Sequence, residues 1–254
     1  MAGTTLLGVD THASLEAVLK QALADDGQEA DAVLVTGDIA HQALRDVYAR
    51  LLPTLQQYTD APVLCVAGNH DVLDIMQMVN LPIEPIILGD WMLVGFDSHE
   101  DEAPSAKVEQ TDLAKFTRHV HLHPQAQHLL MATHHPVFEI GCPWLDRDRI
   151  QQPVELVQQL FNMTDKRLRG VVFGHIHQEA YGVVDLPEAN QGIPAWAVPS
   201  TCFQFAPQTQ NFAIDDKNPG YRWLQLHEDG RITSQVERVT NFELNVDLSA
   251  FKKH

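Results

Sequence analysis

Four short groups of oxygen and imidazole donors stand out in this chain of 254 residues, which contains 14 histidines. The groups are Gly37-Asp38, Gly68-Asn69-His70-Asp71, His134-His135-Pro136 and Gly174-His175-Ile176-His177. Carboxylate and amide oxygens mixed with imidazoles suit Mn, Fe, Zn or Co better than Ca²⁺ or a thiolate-bound metal. Each group alone is weak evidence, because an isolated histidine or an Asn-Asp turn is more often structural. Together they predict a metal centre in which Asp38 is the natural carboxylate to bridge two cations.

Each of the four groups follows a short apolar run. These runs cover 31–36, 62–67, 129–133 and 170–173, and a fifth run, 91–96, ends at Asp97-Ser98. They are apolar throughout rather than alternating, which predicts strands that are buried on both faces. Ligands gather at the carboxyl ends of strands in an open α/β sheet. We therefore expect the four groups to converge on one edge.

Helical periodicity is found between these strands. Apolar residues recur at i, i+3, i+4 and i+7 over 15–23, and similar patterns cover 44–55 and 154–161. Strand–helix alternation predicts a layered α/β fold. In the C-terminal region a β-hairpin is predicted over about 221–239, around an Asp-Gly turn, and the polar stretch 208–220 is predicted to be an exposed loop. No linker or repeat interrupts the sequence, so residues 1–254 are predicted to form a single domain.

Composition and charge narrow the classes of function. The formal net charge of −17 argues against nucleic acid or an anionic membrane as a partner. A small phosphate ester is still compatible with this negative charge, because bound divalent cations can make the local electrostatic potential positive. No apolar run reaches the roughly 18–20 residues that cross a bilayer, and no signal peptide is visible, so a cytoplasmic location is expected. The three cysteines form no CxxC pair, which indicates reduced thiols rather than a disulfide framework.

Taken as a set, the four groups resemble the signature of calcineurin-like metallophosphoesterases. The stretches 141–146, 199–205 and the C-terminal hairpin sharpen the likeness toward bacterial class III 3′,5′-cyclic-AMP phosphodiesterases. The resemblance covers most of the chain and implies an α/β fold, a four-layer α/β/β/α sandwich. It also implies a phosphoric diester hydrolase that converts cyclic AMP, or a related cyclic nucleotide, to the 5′-monophosphate by attack of a metal-bound hydroxide.

The resemblance further implies which residues bind metal. Asp38 would bridge two divalent ions, with Fe²⁺ or Mn²⁺ expected. One ion would also be bound by Asn69, His134 and His175. The other ion would also be bound by His177.

The same resemblance implies residues that act on the substrate. His70 would lie near the leaving-group oxygen as a catalytic residue, and Asp71 would orient its ring. Contacts with the substrate are expected from Asn69, His70 and His177. His135 is expected to be structural or to support a ligand. Outside the groups, a solvated connection before the strand at 129 is expected to hold His119, His121, His123 and His128.

Two interpretations of the N-terminus compete. The family pattern requires an Asp-x-His at the end of the first strand, and Asp10-Thr11-His12 fits if 6–9 end that strand. In the second interpretation the stretch 6–19 lies downstream of the true motif, and Asp10 or Thr11 caps the first helix. The longer match to the subfamily favours the second interpretation, and the ligand count favours the first. If Asp10 and His12 are not ligands, only one of the two metal sites has a full set of predicted ligands.

Alternatives to a cyclic-AMP phosphodiesterase stay open at this point. The same chemistry fits another small-molecule phosphodiester, such as a glycerophosphodiester or an organophosphate, because substrate choice resides in loops or at a homodimer interface. A chain without the first motif also fits a non-catalytic relative that binds a nucleotide.

Overall fold

The computed structural model describes residues 5–25, 29–98, 106–165 and 167–249. Its helices are α1 (Thr11–Lys20), α2 (Arg45–Leu55), α3 (Leu73–Met78), α4 (Gln110–Leu122), α5 (Pro143–Asp146) and α6 (Pro153–Met163). Its strands are β1 (Thr5–Leu6), β2 (Val9–Asp10), β3 (Val33–Val35), β4 (Val63–Cys65), β5 (Ile86–Leu88), β6 (Trp91–Phe96), β7 (His128–Thr133), β8 (Leu168–Phe173), β9 (Ala180–Leu186), β10 (Gln191–Ala197), β11 (Gln204–Phe205), β12 (Ile214–Asp215), β13 (Gly220–Leu226) and β14 (Ile232–Arg238). A π-helical turn, Gln21–Asp25, follows α1.

A six-stranded mixed sheet forms the larger half of the structure. Its order is β5-β6-β7-β8-β10-β9, with the four inner strands parallel and both edge strands antiparallel. Every residue of β7 is buried, and β6 is buried at all positions but one, as expected for strands covered on both faces. Helices α4 and α6 cover the outer face, where Phe116 and Phe161 pack with Met131.

A smaller sheet, β3 and β4 in parallel, packs against the larger one. Leu64 of β4 lies in a cluster with Leu93 and Leu130 of the facing sheet. On its other side, Tyr48 of α2 and Met76 of α3 belong to a cluster that includes residues of both strands. Helices, two sheets and helices therefore form the four layers of an α/β/β/α sandwich, which confirms the predicted fold class.

The C-terminal hairpin agrees with its prediction. β13 and β14 pair from Gly220↔Arg238 to Leu226↔Ile232 without a break in register. Leu226 and Ile232 pack against the cluster between the sheets, which places the hairpin beside the sandwich. The prediction of an exposed loop over 208–220 was partly wrong, because β12 lies within it and pairs with β11.

The prediction of a solvated connection was right for His123, which follows α4, and wrong for His119, His121 and His128. His119 and His121 lie in α4, where Leu113, Phe116 and Val120 form a buried stripe at helical spacing. His128 is the first residue of β7, and its Nε2–H donates to the carbonyl oxygen of Glu228 at 2.9 Å.

Residues 5–10 do not form a strand of either sheet of the sandwich. β1 and β2 pair with each other across Leu7 and Gly8, both of which have positive φ. Asp10 is the N-cap of α1, and its Oδ1 accepts hydrogen bonds from the backbone N–H groups of His12 and Ala13, each at 3.1 Å. Of the two interpretations of the N-terminus, the contacts are those of the second, in which Asp10 caps the first helix. No helix in the four described ranges is long and apolar enough to span a membrane.

Candidate metal centre

Four of the predicted metal ligands meet where the two sheets face each other. The Nε2 atom of His134 lies 3.1 Å from Asn69 Oδ1, 3.2 Å from His175 Nδ1 and 3.3 Å from Asp38 Oδ2. His175 Nδ1 also lies 3.0 Å from Asn69 Oδ1. Asp38 and Asn69 follow β3 and β4, whereas the histidines follow β7 and β8. The prediction that the four groups converge on the edge of one sheet was therefore wrong. The donors follow the carboxyl ends of strands in two sheets that pack against each other.

Glycines allow the donor loops to approach this closely. A Cβ atom at Gly68 would lie 2.3 Å from both the backbone nitrogen and Oδ1 of Asp38. A Cβ atom at Gly37 would lie 2.4 Å from His134 Nδ1, and the φ of Gly37 is +96°. Both positions therefore require glycine, the first for space and the second also for its backbone conformation.

Three of the predicted ligands have a left-handed backbone. The φ angles are 54° at Asp38, 61° at His175 and 47° at His177. Such conformations cost about 1–3 kcal/mol each in residues with a side chain, and they tend to cluster at functional sites. The surrounding contacts therefore stabilise a local geometry that the chain would not adopt on its own.

The carboxylate of Asp71 holds two of the donor loops together. Its Oδ2 accepts from the backbone N–H groups of Gly68 at 2.9 Å and Ile39 at 3.1 Å, and its Oδ1 accepts from that of Ala40 at 3.2 Å. Burial and the nearby charge of Asp38 raise the pKa of Asp71, while these three N–H groups act to lower it. The expected role of Asp71 in orienting His70 stays a prediction.

Backbone carbonyl groups fix the protonated nitrogen of two histidines. His134 Nδ1–H donates to the carbonyl oxygen of Thr36 at 2.7 Å, and His177 Nδ1–H donates to that of Phe203 at 3.0 Å. In a neutral ring this leaves Nε2 with the lone pair, as a metal ligand requires. The ring of His177 also stacks on Phe205, with centroids 4.3 Å apart and planes 4° apart.

The charges at the site suit a cation. Although burial acts to raise it, the pKa of Asp38 lies far below its ordinary value because of the adjacent His134. Burial lowers the pKa of His177 to about 4 and also lowers that of His175. The pKa of His134 is raised, since the attraction of Asp38 outweighs the opposing effect of burial. The centre therefore combines an ionised carboxylate at Asp38 with two imidazoles, those of His175 and His177, whose neutral form is favoured.

The donor set fits one divalent cation well. Asp38, Asn69, His134 and His175 present converging oxygen and nitrogen atoms, and the converging atom of His175 is Nδ1. Its other nitrogen, Nε2, is buried with no hydrogen-bond partner among the described residues. A carboxylate oxygen of Asp148 lies 3.6 Å from that Nε2. Asp148 was missed in the sequence, because it lies in an Arg-Asp-Arg stretch that matches no motif.

The second predicted ion has fewer donors. Asp38 and His177 are the ligands predicted for it without ambiguity, while Asp10 caps α1 and His12 Nε2 lies 3.7 Å from Glu16 Oε1. The structure thus provides the donors expected for one ion and only part of those expected for the other.

Three further histidines lie beside the donors: His41, His70 and His135. The backbone N–H of His70 donates to Asp38 Oδ1 at 3.0 Å, and its ring lies 4.9 Å from that of His41. His41 was missed in the sequence, since a lone histidine after Gly-Asp carries no recognised spacing. His135 is buried with its Nδ1 2.9 Å from Ser98 Oγ, and its structural role stays a prediction.

The site opens into a cleft of about 2000 Å³. All of the predicted metal ligands line this cleft, and His70 does as well. One side of it is aromatic, with rings contributed by Trp144, Phe203, Phe205 and Phe212. The arrangement can therefore hold a cation and an apolar planar group close together.

Substitution of Asp71 by Asn should destabilise the chain even though no metal ligand is changed. The amide has one acceptor oxygen, so at least one of three backbone N–H groups loses its partner. An unpaired buried N–H costs about 1–3 kcal/mol, and we expect the free energy of unfolding in urea, measured in EDTA, to fall by about that amount.

Asp60→Asn serves as the matched control, because it removes the same charge from an exposed loop residue. It should change the free energy of unfolding by less than about 0.5 kcal/mol. Equal stability of the Asp71 variant and the unmodified chain would contradict the loop-tying role of Asp71.

Comparisons with known proteins identify the family of the chain. Residues 8–179 match the family described as calcineurin-like phosphoesterase. The cyclic-AMP phosphodiesterase CpdA of Pseudomonas aeruginosa is 34% identical, over 98% of this chain and 90% of its own length. The protein of the same name from Escherichia coli K12 is 31% identical, over 96% of this chain and 87% of its own length.

A solved structure shows the same fold. The dimetal phosphatase from Danio rerio superposes with a TM-score of 0.53 and 13% identity, covering 90% of this chain and 89% of that one. Together with the family match over residues 8–179, these findings show that the chain belongs to the calcineurin-like phosphoesterase family.

Proposed function

We propose that this protein hydrolyses 3′,5′-cyclic AMP, or a closely related cyclic nucleotide, to the 5′-monophosphate with the help of divalent metal. The observation that carries the proposal is the convergence of Asp38, Asn69, His134 and His175 within 3.0–3.3 Å contacts at one end of a cleft. The names of the relatives from P. aeruginosa and E. coli, which match nearly the whole chain, support the choice of substrate.

A divalent cation held by these four residues would polarise the phosphoryl group and make water nucleophilic at neutral pH. The donor set has oxygen and imidazole ligands and no thiolate, which suits Fe²⁺ or Mn²⁺. The ionised Asp38 balances part of the cation's charge. The carbonyl group of Thr36 holds the ring of His134 in the tautomer that leaves Nε2 free.

His70 is the proposed general acid for the leaving group. Its backbone N–H donates to Asp38 Oδ1 at 3.0 Å. The residue is exposed and lines the cleft. Opening the cyclic diester breaks the bond between phosphorus and the 3′-oxygen, which then needs a proton. An imidazolium at His70 would donate that proton from Nδ1 or Nε2, as a general acid. Asn69 and His177 complete the proposed set of substrate contacts.

The aromatic side of the cleft supports a nucleotide over a simple diester. Phe205 stacks on His177, and Trp144 packs edge-on to both Phe205 and Phe212. Aromatic faces bind nucleobases by stacking, which contributes about 1–3 kcal/mol per base. A glycerophosphodiester has no group that would use this surface.

One observation favours a second candidate, a non-catalytic protein that binds a nucleotide. The second ion has Asp38 and His177 as its clear donors, whereas Asp10 caps α1. If catalysis requires two ions, the chain would bind the substrate and leave it intact. Homodimer formation and a cytoplasmic location stay predictions.

Hydrolysis assays with Mn²⁺ would test the proposed function. We expect cyclic AMP to be converted to the 5′-monophosphate with a higher kcat/KM than glycerophosphocholine, and Asp38→Ala to abolish the conversion while Asp60→Asn retains it. A higher kcat/KM for the glycerophosphodiester would contradict the proposed substrate. Cyclic AMP binding without turnover would establish the non-catalytic alternative.

His70→Ala should affect substrates according to their leaving groups. Loss of a general acid lowers turnover by about 10²–10⁴-fold when the leaving oxygen needs a proton, as the 3′-oxygen of cyclic AMP does. Bis-p-nitrophenyl phosphate releases a stable phenolate, so its kcat should change little. His121→Ala, which removes an exposed histidine from α4, is the control and should leave both substrates unaffected. Equal losses of kcat on both substrates would exclude the general-acid role of His70.

A further inference from the structure

The two ring nitrogens of His175 have different surroundings. Nδ1 lies among the converging donors, 3.0 Å from Asn69 Oδ1 and 3.2 Å from His134 Nε2. Nε2 is buried and has no hydrogen-bond partner in the part of the chain that the structure describes. A neutral imidazole that gives the lone pair of one nitrogen to a metal carries its proton on the other nitrogen. A cation bound at Nδ1 therefore requires an N–H at the buried Nε2, and that N–H needs an acceptor.

The carboxylate of Asp148 can supply this acceptor. Its Oδ2 lies 3.6 Å from His175 Nε2, and both side chains are largely buried. This distance is longer than that of a hydrogen bond. A charge-assisted N–H···O bond spans about 2.7–2.9 Å, so a movement of the carboxylate by about 0.8 Å would form one. A small rotation of one short side chain is thus enough to pair the buried nitrogen.

The backbone on both sides of Asp148 is held by the core of the larger half. Leu145 and Ile150 are almost completely buried, and the N–H of Asp148 donates to the carbonyl oxygen of Leu145 at 3.0 Å. The N–H of Ile150 donates to the carbonyl oxygen of Pro136 at 3.0 Å, two residues after His134. The segment that carries Asp148 is therefore fixed to the loop that carries a predicted ligand.

An ion pair with Arg147 involves the other oxygen of the same carboxylate. Arg147 Nε lies 3.4 Å from Asp148 Oδ1, and the arginine side chain is 70% exposed. Exposed ion pairs contribute little to stability. This pair alone gives no reason for Asp148 to lie against a buried imidazole, and it leaves Oδ2 on the side of His175.

We propose that Asp148 is a positioning residue of the metal centre, whose carboxylate accepts the Nε2–H of His175 and so keeps Nδ1 directed at the cation. The inference rests on the metal position of the proposed function and adds no ligand to it. Carboxylates that accept from the second N–H of a metal-bound histidine fix the tautomer and the orientation of the ring. Their loss typically lowers metal affinity about 10–100-fold.

Binding of Mn²⁺ alone to the full chain tests this role. We expect the dissociation constant, measured from the EPR signal of the free ion, to rise about 10–100-fold in Asp148→Ala. Asp148→Asn keeps an acceptor oxygen and should lose less affinity than Asp148→Ala. Asp60→Asn is the matched control, because it removes the same charge from an exposed residue before β4, and it should leave the dissociation constant unchanged.

A second measurement needs no variant. In the full chain loaded with diamagnetic Zn²⁺, long-range ¹H–¹⁵N NMR spectra should place the ring proton of His175 on Nε2. This proton should resonate further downfield than the Nδ1 proton of His177, which faces the neutral carbonyl group of Phe203. The reason is that hydrogen bonds to an ionised acceptor are shorter and stronger than those to a neutral one.

Several results would overturn the proposal. Among the variants, these are an unchanged affinity in Asp148→Ala, equal losses in Asp148→Ala and Asp148→Asn, and an equal loss in Asp60→Asn. If Asp148→Ala does not fold, the NMR comparison decides: a proton on Nδ1 of His175, or an Nε2 proton no further downfield than that of His177, would contradict the hydrogen bond.

The outcome is separate from that of the phosphodiesterase proposal, because no substrate is present in either measurement. Failure of the unmodified chain to bind Mn²⁺ or Zn²⁺ would refute the metal centre itself, and the role of Asp148 with it. Tight binding that is insensitive to Asp148 would refute the positioning role alone.

Discussion

The candidate site depends on the buried carboxylate of Asp71, which is not one of the predicted metal ligands. Asp71 accepts hydrogen bonds from three backbone N–H groups, those of Gly68, Ile39 and Ala40. These N–H groups belong to the loops that follow β4 and β3, so one side chain sets the distance between Asp38 and Asn69. The glycines of the two loops then allow the chains to approach, and the strained backbone at Asp38 is held in place by its neighbours. A metal centre needs its donors fixed in this way before the ion binds.

Much of the fold was predictable because its signals are local. Apolar runs predicted β6, β7 and β8, helical stripes predicted α1, α2 and α6, and an Asp-Gly turn predicted the hairpin. The four donor groups were also local, since each lies directly after its strand. Their convergence follows from the way that parallel strands place their carboxyl ends.

The remaining features depend on distant parts of the chain. Asp148 lies near His175 only because the segment after β7 returns to the site, and His41 meets His70 across two loops. His119 and His121 alternate like strand residues, but the buried stripe of α4 is set by their apolar neighbours. The sequence Asp10-Thr11-His12 matches the Asp-x-His ligand motif. The hydrogen bonds that Asp10 accepts from the N–H groups of His12 and Ala13 are those of a helix cap.

The four converging donors are expected to bind one metal ion tightly, and Asp10 is expected not to provide a second tight position. The most direct test is equilibrium dialysis of the metal-free chain against Mn²⁺, with metal counted per chain. We expect one tightly held equivalent, which is lost in Asn69→Ala and retained in Asp10→Ala. Two tightly held equivalents with loss of one in Asp10→Ala, or no tight binding at all, would contradict this expectation.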